Sequence, residues 1–466
     1  MLSIEDNQTL TQVGRGTPMG ELMRRYWLPL MYSWELDADG PPQRLRLLGE
    51  NLIAYRASSG DVGLVAESCP HRGASLFFGR NEEDGLRCVY HGWKFDVSGA
   101  CVDMPSEPAE SNFKSKVRAT AYRAADQGGI VWAYLGPDQA EPPGLPEFEW
   151  CSLPEEQVHH QYKGIYECNW MQALEGDIDT SHLYLLHARL DPAQPDTYGV
   201  YHKDKAPHLD IVETDYGIYY GASRREGPDL TYWRTTQYLF PVFTMFPATP
   251  DGTVPQHMYT PIDDNLTMHW GLRWHPTQRF DGPRALVQTV TKLPEQNGMG
   301  PMKPTQFGRP YADWWPVADK GNDFLMDRDV QRTMNFTGIP TVRLQDVAVT
   351  TSMGGVTPRH REHLGTTDAM IILTRRKLIR AARKLRDEGV APPASLEPSM
   401  YRRRSCSAVL PAEVSWQEAL GDWHAGRTTA PPSQGAGRPQ GPFDLGVVSK
   451  AAEGGIEPAE SPVKRI

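Results

Sequence analysis

The chain has 466 residues, 39% hydrophobic and 10% aromatic, enough for two or three domains with a sizeable core. A formal net charge of −10 and the lack of any long Lys/Arg run exclude an electrostatic footprint for nucleic acid or an anionic membrane. MLSIEDNQTL carries no secretory signal pattern and no apolar run is long enough to span a bilayer, which predicts a cytoplasmic protein acting on small molecules or protein partners.

In chain order, GTPMGELMRRYW opens a helix, with Thr17 as cap, Pro18 at the first helical position and Glu21 near the positive end of the dipole. RLRLLGENLIAYR (44–56) reads as a hairpin turning at Gly49-Glu50-Asn51, and short strands follow at 62–66, 93–97 and 129–135. These predict a small antiparallel β domain over residues 1–145, closed by the proline-rich junction PDQAEPPGLPEFEW (137–150). A second unit, 146–424, mixes a helical stretch at 168–187, strands at 210–224, 230–240 and 265–275, and helices after about 320. DAMIILTRRKLIRAARKLRDEG, apolar at 371, 378, 382 and 385 and closed by Gly389, reads as a long surface helix. The fold class is therefore α+β: a small antiparallel β domain, then a larger domain with an antiparallel sheet covered by helices. Residues 425–466, rich in Pro and Gly, read as a disordered tail.

Six cysteines are too few for a disulfide framework, and only two of them are clustered with histidines. Cys69-Pro70-His71 and Cys88-Val89-Tyr90-His91 each place one thiol and one imidazole on a probable loop, sixteen residues apart. A structural Cys2His2 zinc site and a two-iron, two-sulfide cluster both use such a set. Zinc fingers group like with like, whereas here each loop carries one of each. That pattern favours a dinuclear cluster with two cysteines on one iron and two histidines on the other. Gly73, Gly92 and Trp93 suit close loop packing that excludes water.

NWMQALEGDIDTSHLYLLH (169–187) supplies a second constellation, Asp179, His182 and His187. Two imidazoles and a carboxylate form the facial triad of non-haem Fe(II) oxygenases. In a regular helix His187 sits about 140° around from His182, so the backbone must distort or stop near Tyr184–Leu186. Asp179 shares the face of His182 and suits a hydrogen bond to the outer nitrogen of a ligand histidine, so the third ligand comes from elsewhere. Spacing alone leaves Asp323, Asp327, Asp329 and Asp346 open.

CPH, the sixteen-residue gap and CVYHGWKFD resemble the Rieske domain of the Rieske non-haem iron oxygenases. From GTPMGELMRRYW to the helix near 385 the chain is most similar to the phthalate dioxygenase branch, whose oxygenase components consist of α subunits only. The resemblance implies a Rieske 2Fe-2S cluster on Cys69, His71, Cys88 and His91, and a mononuclear Fe(II) on His182, His187 and Asp346. It further implies a homotrimer or stacked hexamer in which Asp179 bridges one subunit's cluster to its neighbour's iron. Electrons from NAD(P)H arrive through a separate reductase, with flavin and a ferredoxin-type cluster, or through a ferredoxin.

The implied activity is reductive activation of dioxygen to hydroxylate an aromatic acid, either by ring dihydroxylation or by O-demethylation of a methoxy group, in the catabolism of aromatic compounds. Arg224, Arg225 and Arg234 lie on predicted strands, where an arginine suits bidentate pairing with a carboxylate. Alternation turns at most one of Arg224 and Arg225 inward, and Arg225 and Arg234 are the candidate substrate contacts. A Rieske-type electron carrier and a zinc-stabilised binding module are the competing classes; neither needs the second constellation.

Overall fold

Ser3 and Thr17 each open a short helix in the computed structural model, which describes residues 1–108, 110–188, 190, 205–247, 252–280 and 299–432. The Ser3 hydroxyl accepts from the Asp6 amide at the start of Ile4–Thr11, and that of Thr17 from Gly20 in Pro18–Met23. The second cap is the one the sequence predicts; the first helix is an addition to it. Ten strands follow: β1 (Trp27–Tyr32), β2 (Gln43–Leu47), β3 (Glu50–Arg56), β4 (Val62–Ala66), β5 (Arg80–Glu82), β6 (Gly85–Arg87), β7 (Lys94–Phe95), β8 (Cys101–Asp103), β9 (Ala121–Gln127) and β10 (Ile130–Tyr134). They form two antiparallel sheets, in the orders β1, β10, β9, β4, β3, β2 and β5, β6, β7, β8.

Strand β3 is buried on both faces: Leu52 and Ala54 join the main core, while Ile53 and Tyr55 join a separate small core with Leu76, Leu86, Trp93 and Phe95. The small core lies beneath Cys69 and Cys88. The β2–β3 hairpin turns at Leu48-Gly49, with φ of 49° and 79°, rather than at 49–51. Leu48 tolerates this conformation because its side chain is fully buried and the tip is pinned to the second unit. The Leu48 and Gly49 amides donate to the Pro261 and Ile262 carbonyls at 3.1 and 2.9 Å.

The second unit holds β11 (Val158–Tyr166), β12 (His208–Thr214), β13 (Gly217–Arg225), β14 (Leu230–Leu239), β15 (Phe243–Met245), β16 (Val254–Pro261), β17 (Thr267–Trp274) and β18 (Cys406–Pro411). Its antiparallel sheet runs β11, β17, β16, β15, β14, β13, β12, with β18 beside the first half of β14. The three predicted strand regions are present. Strand β16, VPQHMYTP, escapes a pattern reading because two prolines and several polar residues sit in a strand buried on both faces. Helix Trp170–Ile178 lies against β14 to β16 and is flanked by helices Val342–Ser352 and Ala369–Glu388. The last of these is the predicted long helix, closed by Gly389 at φ 70°. Helix Trp416–His424 covers the other face, with Trp416 stacked on Trp233.

Lys163 of β11 joins the two units. Its side chain is fully buried, ion-paired with Glu35, and lies 4.3 to 5.2 Å from the ring centres of Trp314, Trp270 and Tyr32. At the far end, Arg404 Nη1 donates to the Thr428 carbonyl at 2.6 Å, tying residues after the last helix to the sheet. The rest of the predicted tail, 433–466, lies outside the described residues. No helix among the described residues is long and apolar enough to cross a membrane.

His424, buried, is bonded through Nε2 to Thr235 Oγ1 at 3.0 Å, and burial together with Arg403 pushes its pKa down to about 4. The unfolded chain therefore binds a proton there near pH 6.5 that the folded chain refuses until about pH 4. Stability should fall as the pH drops through that window, by about 2 kcal/mol from this group at pH 5, and His424→Gln should flatten the fall. Urea unfolding of both proteins at pH 7.5 and 5 measures the difference.

Candidate metal centres

The two Cys/His loops share one backbone design. In the first, the Cys69 amide donates to the Ala74 carbonyl at 2.8 Å and the Gly73 amide to the Cys69 carbonyl at 2.9 Å. In the second, Cys88 donates to Trp93 at 2.8 Å and Gly92 to Cys88 at 3.0 Å. Each turn closes through a left-handed residue, Gly73 at φ 77° and Gly92 at φ 76°, which favours glycine. Gly92 has a packing role as well, since a Cβ there would meet Pro105 at 2.6 Å.

The turns bury both thiols and leave both imidazoles partly exposed, their ring centres 4.5 Å apart. Trp93 stacks on His71 at 4.2 Å and shields it. Burial pushes the Cys69 thiol up to about 11, with Cys88 adding to the rise, so thiolates here need a cation to take their charge. His91 Nδ1 is buried without a hydrogen-bond partner. Two buried sulfurs and two adjacent imidazoles fit a cluster held by mixed ligands.

Helix Trp170–Ile178 starts at the Asn169 cap and stops at Asp179, which leaves the helical region at φ −98°, ψ 108°. A 3-10 turn, His182–Tyr184, carries the chain on, so the expected irregularity is a helix end followed by a tighter turn. His187 Nε2 then lies 3.2 Å from Asp346 Oδ1 and His182 Nε2 lies 3.7 Å from the same oxygen. Asp346 sits on helix Val342–Ser352; among the other acids, Asp327 caps a helix and Asp329 is exposed. His187 Nδ1 donates to Gln345 Oε1 at 2.7 Å, which aims Nε2 into the site. Asp179 Oδ2 lies 3.6 Å from His182 Nδ1, just beyond hydrogen-bond length.

Burial alone would raise the Asp346 carboxyl, yet His187, Arg343 and His182 hold it down at about 2. For His182 burial acts downward, but Asp179 and Asp346 outweigh it and raise its pKa. Two imidazole nitrogens and one ionised oxygen converging in this way are a donor set suited to a divalent iron.

Arg225 is corrected. It is exposed at the end of β13, while alternation turns Arg224 inward, where Nη2 donates to both Thr180 oxygens at 3.3 Å. Arg234 is buried on the same sheet face, opposite Ala222 and diagonal to Arg224. Sequence reasoning missed Arg343, Gln345, His257 and Asp177. Arg343, three residues before Asp346 on one helix, carried a signal; His257 on β16 carried none.

Two family models match the chain: the Rieske [2Fe-2S] domain over residues 26–119, and the LigXa C-terminal domain-like family over 133–428. The chain is 40% identical to the 3-chlorobenzoate-3,4-dioxygenase oxygenase subunit of Comamonas testosteroni, covering 90% of this chain and 98% of that protein. It is 36% identical to the phthalate 4,5-dioxygenase oxygenase subunit of Pseudomonas putida (90% and 94%) and 32% identical to the 5,5'-dehydrodivanillate O-demethylase oxygenase subunit of Sphingobium sp. (83% and 81%). Among solved structures, dicamba monooxygenase bound to dicamba has the same fold, with a TM-score of 0.55 at 15% identity over 78% of this chain and 98% of that one. The chain belongs to the Rieske non-haem iron oxygenase α subunits, in the phthalate dioxygenase-like branch. Such oxygenase components carry a Rieske 2Fe-2S cluster and a mononuclear iron, and take electrons from a separate reductase or ferredoxin.

His187→Ala should lower iron from about three per chain to about two and leave the reduced Rieske EPR signal intact. Cys88→Ser should do the reverse, bleaching the red-brown colour. Metal analysis and EPR on the two variants check both outcomes.

Proposed function

We propose that this chain hydroxylates an aromatic carboxylic acid, with Cys69, His71, Cys88 and His91 holding the cluster and His182, His187 and Asp346 holding the mononuclear iron. The convergence of those last three side chains, whose ligand atoms lie within 4.8 Å of one another, carries the reading. When bound, the two iron centres supply reductive activation of dioxygen. The chain's own residues supply the geometry: Asp346 stays ionised, Gln345 keeps His187 from turning, and Asp179 stands behind His182. Asp179 is also the residue that couples the iron site to the cluster of a neighbouring subunit in a homotrimer or stacked hexamer. The enzyme works in the cytoplasm.

For the substrate, Arg234 pairs with the carboxylate, on the sheet face whose neighbour Arg224 reaches Thr180 beside the iron ligands. A buried guanidinium suits a planar carboxylate better than any neutral donor does. Relatives whose names specify chlorobenzoate, phthalate and dehydrodivanillate support an aromatic acid. Both ring dihydroxylation and O-demethylation fit, and the pose of the ring over the iron decides between them.

With a surrogate reductase and NADH, a panel of benzoates, phthalates and methoxybenzoates should include an acid that is turned over with oxygen uptake. If none is, the aromatic-acid reading fails. Arg234→Ala should weaken binding of the accepted acid by about 2 kcal/mol or more, roughly thirtyfold in Kd, while Arg225→Ala leaves it unchanged. Asp179→Asn should keep both iron centres and slow single-turnover electron transfer severely; unchanged kinetics would refute the coupling.

A further inference from the structure

Behind the His182, His187 and Asp346 group lies a string of buried polar side chains that none of the site roles above uses. Arg343 stands at its centre. Its Nη1 faces Asp346 Oδ2 at 3.4 Å and its Nη2 faces His257 Nε2 at 3.2 Å, while the guanidinium lies over the Tyr162 ring at 4.7 Å. His257 Nδ1 faces Asp177 Oδ2 at 2.7 Å, and the Thr244 hydroxyl donates to that same oxygen at 2.6 Å.

The Asp177 contact fixes the tautomer of His257. Bonding to the Asp177 carboxylate makes His257 Nδ1 the N–H donor, so Nε2 is left as an acceptor. That acceptor receives Arg343 Nη2–H and also meets the Tyr162 hydroxyl. Arg343 has only donors, and it spends one arm on His257 and the other on Asp346. The anchors come from five separate elements: β11, helix Trp170–Ile178, β15, β16 and helix Val342–Ser352. The guanidinium is thereby held between His257 and Asp346, with Oδ2 of Asp346 turned toward it.

We propose that Arg343 is the positioning residue of the mononuclear site: it holds Asp346 Oδ2 away from the metal, so that Asp346 binds through Oδ1 alone. The Oδ1 atom is the one that faces both histidines, at 3.2 and 3.7 Å, whereas Oδ2 faces the arginine. A carboxylate held by one oxygen leaves one more coordination position open than a chelating carboxylate does. A lysine cannot reproduce this, because a point charge lacks the fork that spans His257 and Asp346 together.

The proposal rests on the reading of His182, His187 and Asp346 as metal ligands, and the experiment separates the two. Fe(II) affinity of the holoprotein is measured by chelator competition, and the EPR signal of the Fe(II)–nitric oxide adduct is recorded with the cluster oxidised. The visible spectrum of the Rieske cluster reports folding. Arg343→Gln should weaken Fe(II) binding about ten- to a hundredfold and change the nitrosyl signal; Arg343→Lys should fall between it and the parent. His257→Gln, one bond further out, should move both readouts the same way by less. Affinity within about twofold of the parent and an unchanged nitrosyl signal in Arg343→Gln overturn the positioning role. Should that variant not fold, Arg343→Lys decides on the same two readouts. His187→Ala runs alongside: iron lost there while both readouts of Arg343→Gln match the parent sinks the role of Arg343 alone, and iron kept in His187→Ala sinks the metal reading with it.

Discussion

Five residues of α-helix turn a side chain through about 500°, so a continued helix could not aim His182 and His187 at one point. The chain meets this constraint by stopping the helix at Ile178 and tightening into a 3-10 turn at His182–Tyr184. The placement of Asp179 and Thr180 follows from that stop. Asp179, at the helix end, is freed to stand behind His182, while Thr180 takes a bond from Arg224 of the adjoining sheet. The helix that ends here is itself held at its start by the Asn169 cap and by Asn169 bonds to the Thr11 and Asp264 carbonyls. A rigid start and an abrupt stop place the histidines more firmly than a mobile loop could.

The site also shows how a fold keeps charges in its interior. Asp177, Asp179 and Asp346 lie close together, and each has its pKa lowered despite burial, because a histidine, an arginine or both sit against it. Burying one carboxylate unpaired would cost several kcal/mol, so the three carboxylates require the surrounding cations and donors. The same logic joins the two units. Lys163 is fully buried, and burial lowers its pKa to about 8, yet Glu35 and the faces of Trp270 and Trp314 oppose that shift or stabilise the cation. The hairpin tip at Leu48 adds a second fixed point between the units.

Much of the chemistry was legible because it is local. Each Cys/His loop is a short turn whose closing glycine takes a left-handed φ, so the candidate ligands and the loop geometry are encoded within five residues of each other. The Thr17 cap and the long helix ending at Gly389 are local in the same sense. Strands β11, β16 and β18 were not legible. They are buried on nearly all sides, so packing rather than alternation decides their residues, and β16 even admits prolines. Arg225 shows the limit from another direction: period two says that only one of two neighbouring arginines faces inward, and it cannot say which.

By itself the sequence singled out two groups of side chains with the chemistry of metal ligands, and it required that a regular helix not carry both histidines of the second. Tertiary structure decided which distant groups meet them. Gln345 reaches His187 across 158 residues and Arg343 reaches His257 across 86, both from a helix packed beside helix Trp170–Ile178. Those pairings depend on sheet register and helix placement, which arise from the whole core at once and leave no periodic trace along the chain.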